Sequence, residues 1–270
     1  MSQPPEEGET TIRACTYNIR YAAGENRRSR EQPWADRCPH VLERIRDVGP
    51  DILAVQEALP HQFDALESRL SAYDWHGVGR RDGDRTGEFV PIAWREDRFT
   101  PLETGAFWLS STPEKPSVGW DGDLPRVSTW ALLEDRQTEL TLWACATHFD
   151  HRGETARLEA ARVLEARAHA WLDVDAGSQS ADAVLVMGDC NCRPDSPPYA
   201  VLADGTLTDA HGEASTITGP AATFHGFDGG LEDRIDYLWT AGFEVETYTA
   251  LEPRAPFASD HVPVWADLRM

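Results

Sequence analysis

Three acidic segments in the last third of the chain carry side chains that can do chemistry: Gly188-Asp189-Cys190-Asn191, Arg234-Ile235-Asp236-Tyr237 and Ser259-Asp260-His261-Val262-Pro263. Each adjoins an apolar stretch that reads as a buried strand, and each delivers a carboxylate, an amide or an imidazole at that strand's end. Such groups are costly to desolvate unless they bind a metal, a substrate or one another. Three in series predict an active site assembled from strand ends. The first half of the chain adds matching pieces. Thr16-Tyr17-Asn18-Ile19 closes an alternating run from Thr11, and Gln56-Glu57 closes the apolar run Ile52-Leu53-Ala54-Val55. Ala146-Thr147-His148-Phe149-Asp150 closes a strand-like stretch from Glu139.

In this order, the six segments resemble the endonuclease/exonuclease/phosphatase superfamily of deoxyribonuclease-like, metal-dependent phosphoesterases. The likeness runs from about Thr11 to Leu268. One short motif is weak, but six in order are specific. The resemblance implies hydrolysis of a phosphate ester by an in-line water, assisted by Mg²⁺ or Mn²⁺. It implies Glu57 as the principal metal ligand, with Asn18 and Asp260 completing the shell. It implies that Asp236 orients His261 as a dyad beside the scissile phosphate. Asp189 or His261 then takes the proton from water, Asn191 donates to the phosphate or positions the nucleophile, and His148 contacts the phosphate. All of these positions are filled, whereas a catalytically inactive phosphate-binding module on the same fold is expected to have lost some. A Cys or Ser nucleophile finds no Gly-x-Ser-x-Gly pattern to carry it.

The run from Thr147 to Gly153, Leu124-Pro125-Arg126-Val127 and Gly87-Glu88-Phe89 resemble a bacterial and archaeal branch of the family. Arg126 is either a bidentate phosphate contact or an ordinary surface ion pair. Glu88 joins it as a substrate-binding candidate. Asp150 and His151 suit a second metal or a cap for the helix that follows, and the cap is favoured.

Strands must deliver these groups, and the hydrophobic pattern predicts them. Alternating or apolar runs mark strands over Thr11–Ile19, Asp51–Gln56, Trp75–Val78, Val90–Trp94, Phe107–Ser110, Ser128–Leu133, Glu139–Thr147, Ala183–Met187, Ile235–Trp239 and Val262–Leu268. Helical spacing marks Pro39–Val48, ended by Gly49-Pro50, then His61–Leu70 and the longer Glu154–Trp171. Strands mixed with helices argue for an α/β or α+β domain. The resemblance sharpens this to a four-layer α/β/β/α sandwich of two packed mixed sheets flanked by helices. Polar segments over Ala22–Asp36, Gly79–Gly87 and Ser110–Arg126 are expected to rim the site. Trp94, Trp130, Trp143, Trp239 and Trp265 fall in strand patterns and are expected in the core. Any stacking role falls to Trp34, Trp108 or Trp120, near the loops.

Composition bounds the rest. The 270 residues show no linker or repeat, and the motifs draw on both halves, so residues 11–270 are expected to form one domain behind a disordered acidic lead-in over 1–10. No apolar run approaches the roughly 20 residues of a membrane span, and no signal-peptide pattern opens the chain. Five cysteines, without zinc-site spacing, are expected as buried free thiols in a reducing, cytoplasmic setting. No protein partner is implied. The net charge is −21, and Lys115 is the only lysine. Arginine-rich, GC-driven codon usage does not account for the excess of Asp and Glu, so a halophilic surface kept hydrated by carboxylates is the expectation. Nucleic-acid binding normally leaves a basic footprint. The densest basic cluster is only Arg27-Arg28-Ser29-Arg30, with Arg80-Arg81 second. A small phosphoester is therefore expected over a DNA or RNA substrate.

Overall fold

The computed structural model describes residues 11–22, 24, 31–173 and 181–270. The expected lead-in and the Arg27-Arg28-Ser29-Arg30 cluster lie outside them. In chain order the first half forms β1 (Ile12–Asn18), α1 (Trp34–Val48), β2 (Ile52–Gln56), α2 (Pro60–Arg69), β3 (Tyr73–His76), β4 (Ile92–Arg95), β5 (Phe99–Trp108), β6 (Val127–Asp135) and β7 (Thr141–His148). The second half forms α3 (Glu154–Leu172), β8 (Ala183–Asp189), α4 (Pro197–Ala203), β9 (Thr208–Asp209), α5 (Ala210–Glu213), β10 (Thr216–Thr218), β11 (Asp236–Ala241), β12 (Glu244–Ala250) and β13 (Val264–Arg269).

The strands make two mixed sheets, one in the order β10-β12-β13-β1-β2-β4-β3 and the other β5-β6-β7-β8-β11-β9. Side chains alternate across each strand, and in the central strands both faces are buried. Along β1 and β2, Ile12, Ala14, Ile52 and Ala54 meet Leu142, Ala144, Leu185 and Met187 of the other sheet. Their neighbours Cys15, Tyr17, Leu53 and Val55 pack outward on α1 and α2. On the second sheet, Trp143, Val184, Val186 and Trp239 pack on Leu164 and Trp171 of α3 and Leu202 of α4. The result is the expected four-layer α/β/β/α sandwich.

Register then sets the site. β7 and β8 run parallel with His148 opposite Asp189, and β8 and β11 run antiparallel with Asp189 opposite Asp236. Three functional candidates therefore stand in one row across the end of the second sheet. On the first sheet, parallel β1 and β2 put Asn18 opposite Gln56, immediately before Glu57. Asp260 and His261 lie on the segment that leads into β13.

Several elements differ from the sequence pattern. Helix α1 starts at Trp34 and contains Pro39, although proline favours a first helical turn. The buried Arg37 anchors the extra turn by donating to the carbonyls of Ile19 (2.7 Å), Ala258 (2.8 Å) and Arg20 (3.0 Å). The helix ends as its Gly49-Pro50 signal implies, with Gly49 left-handed at φ 58°. Strand β5 is longer than expected because its middle lies exposed at the sheet edge and carries no alternation. Strand β12 was hidden by an irregularity between Val245 and Thr247 that breaks the two-residue period. Trp108 is buried, its indole N–H donating to the Arg80 carbonyl at 2.7 Å, so it props a loop from beneath. Trp120 is exposed.

Candidate active site

The strand ends converge on a cleft of about 680 Å³, whose lining includes Glu57, His148, Asp189, Asn191, Asp260 and His261. Asn18 and Asp236 stand behind it, at 0% and 1% exposure. Asp236 Oδ2 meets His261 Nδ1 at 2.8 Å and also accepts from Thr223 Oγ at 2.6 Å. Thr223 Oγ in turn receives the backbone N–H groups of Ile235 and Asp236, so the carboxylate that orients His261 is itself fixed. Phe224 packs edge-on against the imidazole at 5.0 Å. His261 Nε2 then lies 3.8 Å from Asp189 Oδ2, and His148 Nε2 lies 3.6 Å from the same oxygen. Asp189 Oδ1 accepts from the N–H of Asn191 at 2.9 Å, and the Asn191 amide donates to the Phe149 carbonyl.

Asn18 joins the two sheets. Its Nδ2 donates to Asp189 Oδ2 at 3.0 Å and to Glu57 Oε1 at 3.3 Å, while its Oδ1 accepts from the Arg20 N–H. Glu57 also accepts from the Tyr21 N–H at 3.0 Å. Ser259 Oγ donates to the Asn18 carbonyl at 2.6 Å, tying the Asp260 segment to the end of β1. Arg20 lies between the two remaining acids, 3.6 Å from Glu57 and 3.9 Å from Asp260. Arg20, Glu57 and Asn191 all have left-handed backbones, at φ 57°, 65° and 46°. Such conformations cost energy in non-glycine residues and concentrate where a site over-determines them.

Burial and charge set the protonation states. Burial pushes the Asp189 carboxyl up to about 7, with the Asp236 charge adding to it against His261. Burial alone would lower His261, but Asp236 and Asp189 outweigh it and raise the imidazole to about 10. Burial, with Arg126 and Arg80 nearby, holds His148 well below the usual imidazole range. Glu57 is half-buried, yet Arg20 and the Tyr21 N–H overcome desolvation and keep its carboxyl below its ordinary value. An ionised carboxylate at a cleft wall, with Asp260 alongside, suits a hard oxygen-seeking cation. Asp189, Asp236 and His261 also bring one ligand atom each within 4.8 Å of one another. There, however, the Asp236–His261 hydrogen bond already occupies Nδ1.

All ten sequence candidates gather at this cleft or directly behind it. Arg126 and Glu88 line it. Arg126 is 6% exposed and faces Asp150 at 3.4 Å, so it is no surface ion pair. Glu88 is held by a two-pronged bond from Arg80, at 2.7 and 2.9 Å. Helix α3 is capped from a distance by Asp121, which accepts from Ala156 and Thr155; Asp150 instead brackets the preceding turn by accepting from Arg152 and Gly153. The five cysteines are buried and unpaired. Arg20 and Thr223 are the site residues that pattern did not single out, while Ser259 stood in the Asp260 segment and Arg80 in a basic pair without a role at the site. Arg20 borders a motif and was within reach, but Thr223 lies in a segment without periodicity. No helix among the described residues is long and apolar enough to cross a membrane.

Comparison with known proteins agrees with this fold. Residues 15–261 match the Endonuclease/Exonuclease/phosphatase family, and the chain belongs to that family, whose members are phosphoesterase hydrolases. It is similar to a solved family protein from Bacteroides thetaiotaomicron, 31% identical, with 96% of this chain and 98% of that one covered and a TM-score of 0.87. A mannosyl-6-phosphatase from the same organism is 30% identical over 96% of this chain and 100% of that one, also at TM-score 0.87. Two uncharacterized proteins of Acanthamoeba polyphaga mimivirus are 25% and 24% identical over 56% and 46% of this chain. The matches span 27% and 49% of those curated relatives.

Proposed function

We propose that the chain hydrolyses a small phosphate ester, with Glu57 and Asp260 as the carboxylate ligands of Mg²⁺ or Mn²⁺ and Asn18 beside them. Bound there, the ion supplies charge neutralisation on the phosphoryl and leaving-group oxygens. The chain's own residues do the rest. Asp236 and Thr223 hold His261 in one orientation. Asp189, whose proton affinity is raised towards neutrality, accepts the proton of the attacking water. His261 stays protonated and faces the phosphoryl group as a donor, while neutral His148 and Asn191 bind its oxygens.

The observation that carries this assignment is the fixed row of His148, Asp189 and Asp236, with His261 Nε2 and His148 Nε2 both turned to one Asp189 oxygen. A phosphorylated carbohydrate is the favoured substrate class, because the chain is similar along 96% of its length to a mannosyl-6-phosphatase. A nuclease is disfavoured by the cleft mouth, where Arg152 and Arg193 are each paired, with Asp123 at 2.7 Å and Asp233 at 2.6 Å. The test is a purified-protein screen with Mg²⁺ or Mn²⁺ against sugar phosphates, dinucleotides, phospholipid head groups, DNA and RNA. Release of phosphate from a sugar phosphate is expected. Cleavage of DNA or RNA with no turnover of small esters would replace this proposal with the nuclease alternative.

A further inference from the structure

Arg126, Asp150 and His151 have no task in the hydrolysis proposed above, yet they form a fixed chain at one side of the cleft. Asp150 is 2% exposed. Its Oδ1 is locked by the backbone N–H groups of Arg152 (2.9 Å) and Gly153 (2.8 Å). Its Oδ2 faces Arg126 Nε at 3.4 Å, and Arg126 Nη2 lies 2.9 Å from His151 Nδ1. A guanidinium has five donors and no acceptor, so the last bond has only one polarity: arginine donates and Nδ1 accepts. His151 is therefore neutral and carries its proton on Nε2. Burial and the charge of Arg126 both push this imidazole below its usual range, in agreement.

Arg126 Nη1 and His151 Nε2 remain as donor atoms at the end of this chain, and both residues line the cleft with His148 and Asp189. The neighbouring arginine is committed elsewhere, since Arg80 gives both terminal nitrogens to Glu88. We propose that Arg126 and His151 clamp a terminal oxygen of the substrate's phosphoryl group and so select phosphomonoesters over phosphodiesters. A monoester phosphate carries close to two negative charges at neutral pH and keeps three strong acceptor oxygens. In a diester one of these oxygens bears a second carbon substituent, which removes charge and blocks the clamp. This selectivity rests on the phosphoester hydrolysis proposed above.

The test compares kcat and KM for p-nitrophenyl phosphate and bis(p-nitrophenyl) phosphate with Mg²⁺ or Mn²⁺ present. The wild type, Arg126→Gln, His151→Ala and the double variant are each measured. The wild type is expected to favour the monoester. Each single change should lower the monoester-to-diester ratio of kcat/KM by about 10- to 100-fold, the scale of a lost hydrogen bond to a charged group. The loss should lie mainly in the monoester KM, with inorganic phosphate inhibiting correspondingly less. The double variant should lose less than the product of the singles, because each residue orients the other. His151 is exposed, so its variant tests the clamp even if the buried arginine proves indispensable for folding. A wild-type preference for the diester, or equal losses on both esters, would overturn the clamp alone. No turnover of either ester would overturn the hydrolytic assignment beneath it.

Discussion

His261 and Asp189 hold protons more tightly than their residue types ordinarily do, and the cause is their shared surroundings. Asp236 stabilises the imidazolium by a 2.8 Å hydrogen bond, and its charge adds to burial in discouraging ionisation of Asp189. His261→Ala is expected to lower turnover by about 10²-fold or more, as for other positioned acid–base groups. Asp236→Asn should act in the same direction, and the pair should be strongly non-additive because one residue works through the other; steady-state kinetics of the singles and the double check this. The shifts also predict a pH dependence of stability. Both groups titrate higher in the folded chain than in the unfolded one, where they keep ordinary values of 3.8 and 6.5. The unfolded state then binds fewer protons, so stability falls with rising pH. For His261 the contribution is full below pH 6.5 and is lost as pH rises towards about 10. Denaturant melts of metal-free protein should show this decline, and Asp236→Asn should flatten it; equal slopes in the two proteins would refute the coupling. The Asp236–His261 pair was legible through the family resemblance that their two short motifs help to carry. Thr223 was not, since a threonine in an irregular segment gains its role only from tertiary placement beside Asp236.

At the scale of elements, the parallel pairing of β7 and β8 is what sets His148 opposite Asp189, and Gly188 makes that approach feasible. A Cβ built on Gly188 would lie 2.0 Å from the carbonyl oxygen of Thr147, so only glycine lets the two strands close. Gly188→Ala is expected to destabilise the fold by about 3 kcal/mol, at the upper end of ordinary overpacking, and to reduce turnover by displacing Asp189. A melting temperature equal to wild type would contradict this. The strands that feed the site were readable because one or both of their faces are buried, so they appear as alternating or short apolar runs: β1, β2, β7, β8, β11 and β13. What escaped had physical reasons. The exposed middle of edge strand β5 has no pattern to read, the irregular register of β12 breaks its alternation, and the two residues of β9 are too few to show one. Helix α1 began before its proline because buried Arg37 makes long-range bonds that local propensity cannot foresee.

Across the whole molecule, acidic charge dominates, and the cleft mixes arginines with carboxylates. A net charge of −21 with a single lysine implies self-repulsion at low ionic strength, while Arg20, Arg80 and Arg126 gather at the cleft. The Debye length shrinks from about 10 Å at 0.1 M salt to about 3 Å at 1 M, so molar salt screens most surface repulsion. Thermal melts should therefore show stability rising from dilute buffer into molar KCl. A steady fall would mean that the acid excess has another origin. The sheet architecture was legible only through the order of six motifs, since periodicity alone does not say which strands share a sheet. The most direct test of the account is the metal requirement. Protein stripped with EDTA should not hydrolyse p-nitrophenyl phosphate or a sugar phosphate, and Mg²⁺ or Mn²⁺ should restore turnover. Glu57→Gln should need a higher metal concentration for half-maximal rate, because it removes the principal anionic ligand. Full turnover in metal-free buffer, or a Glu57→Gln protein with unchanged metal dependence, would contradict the account.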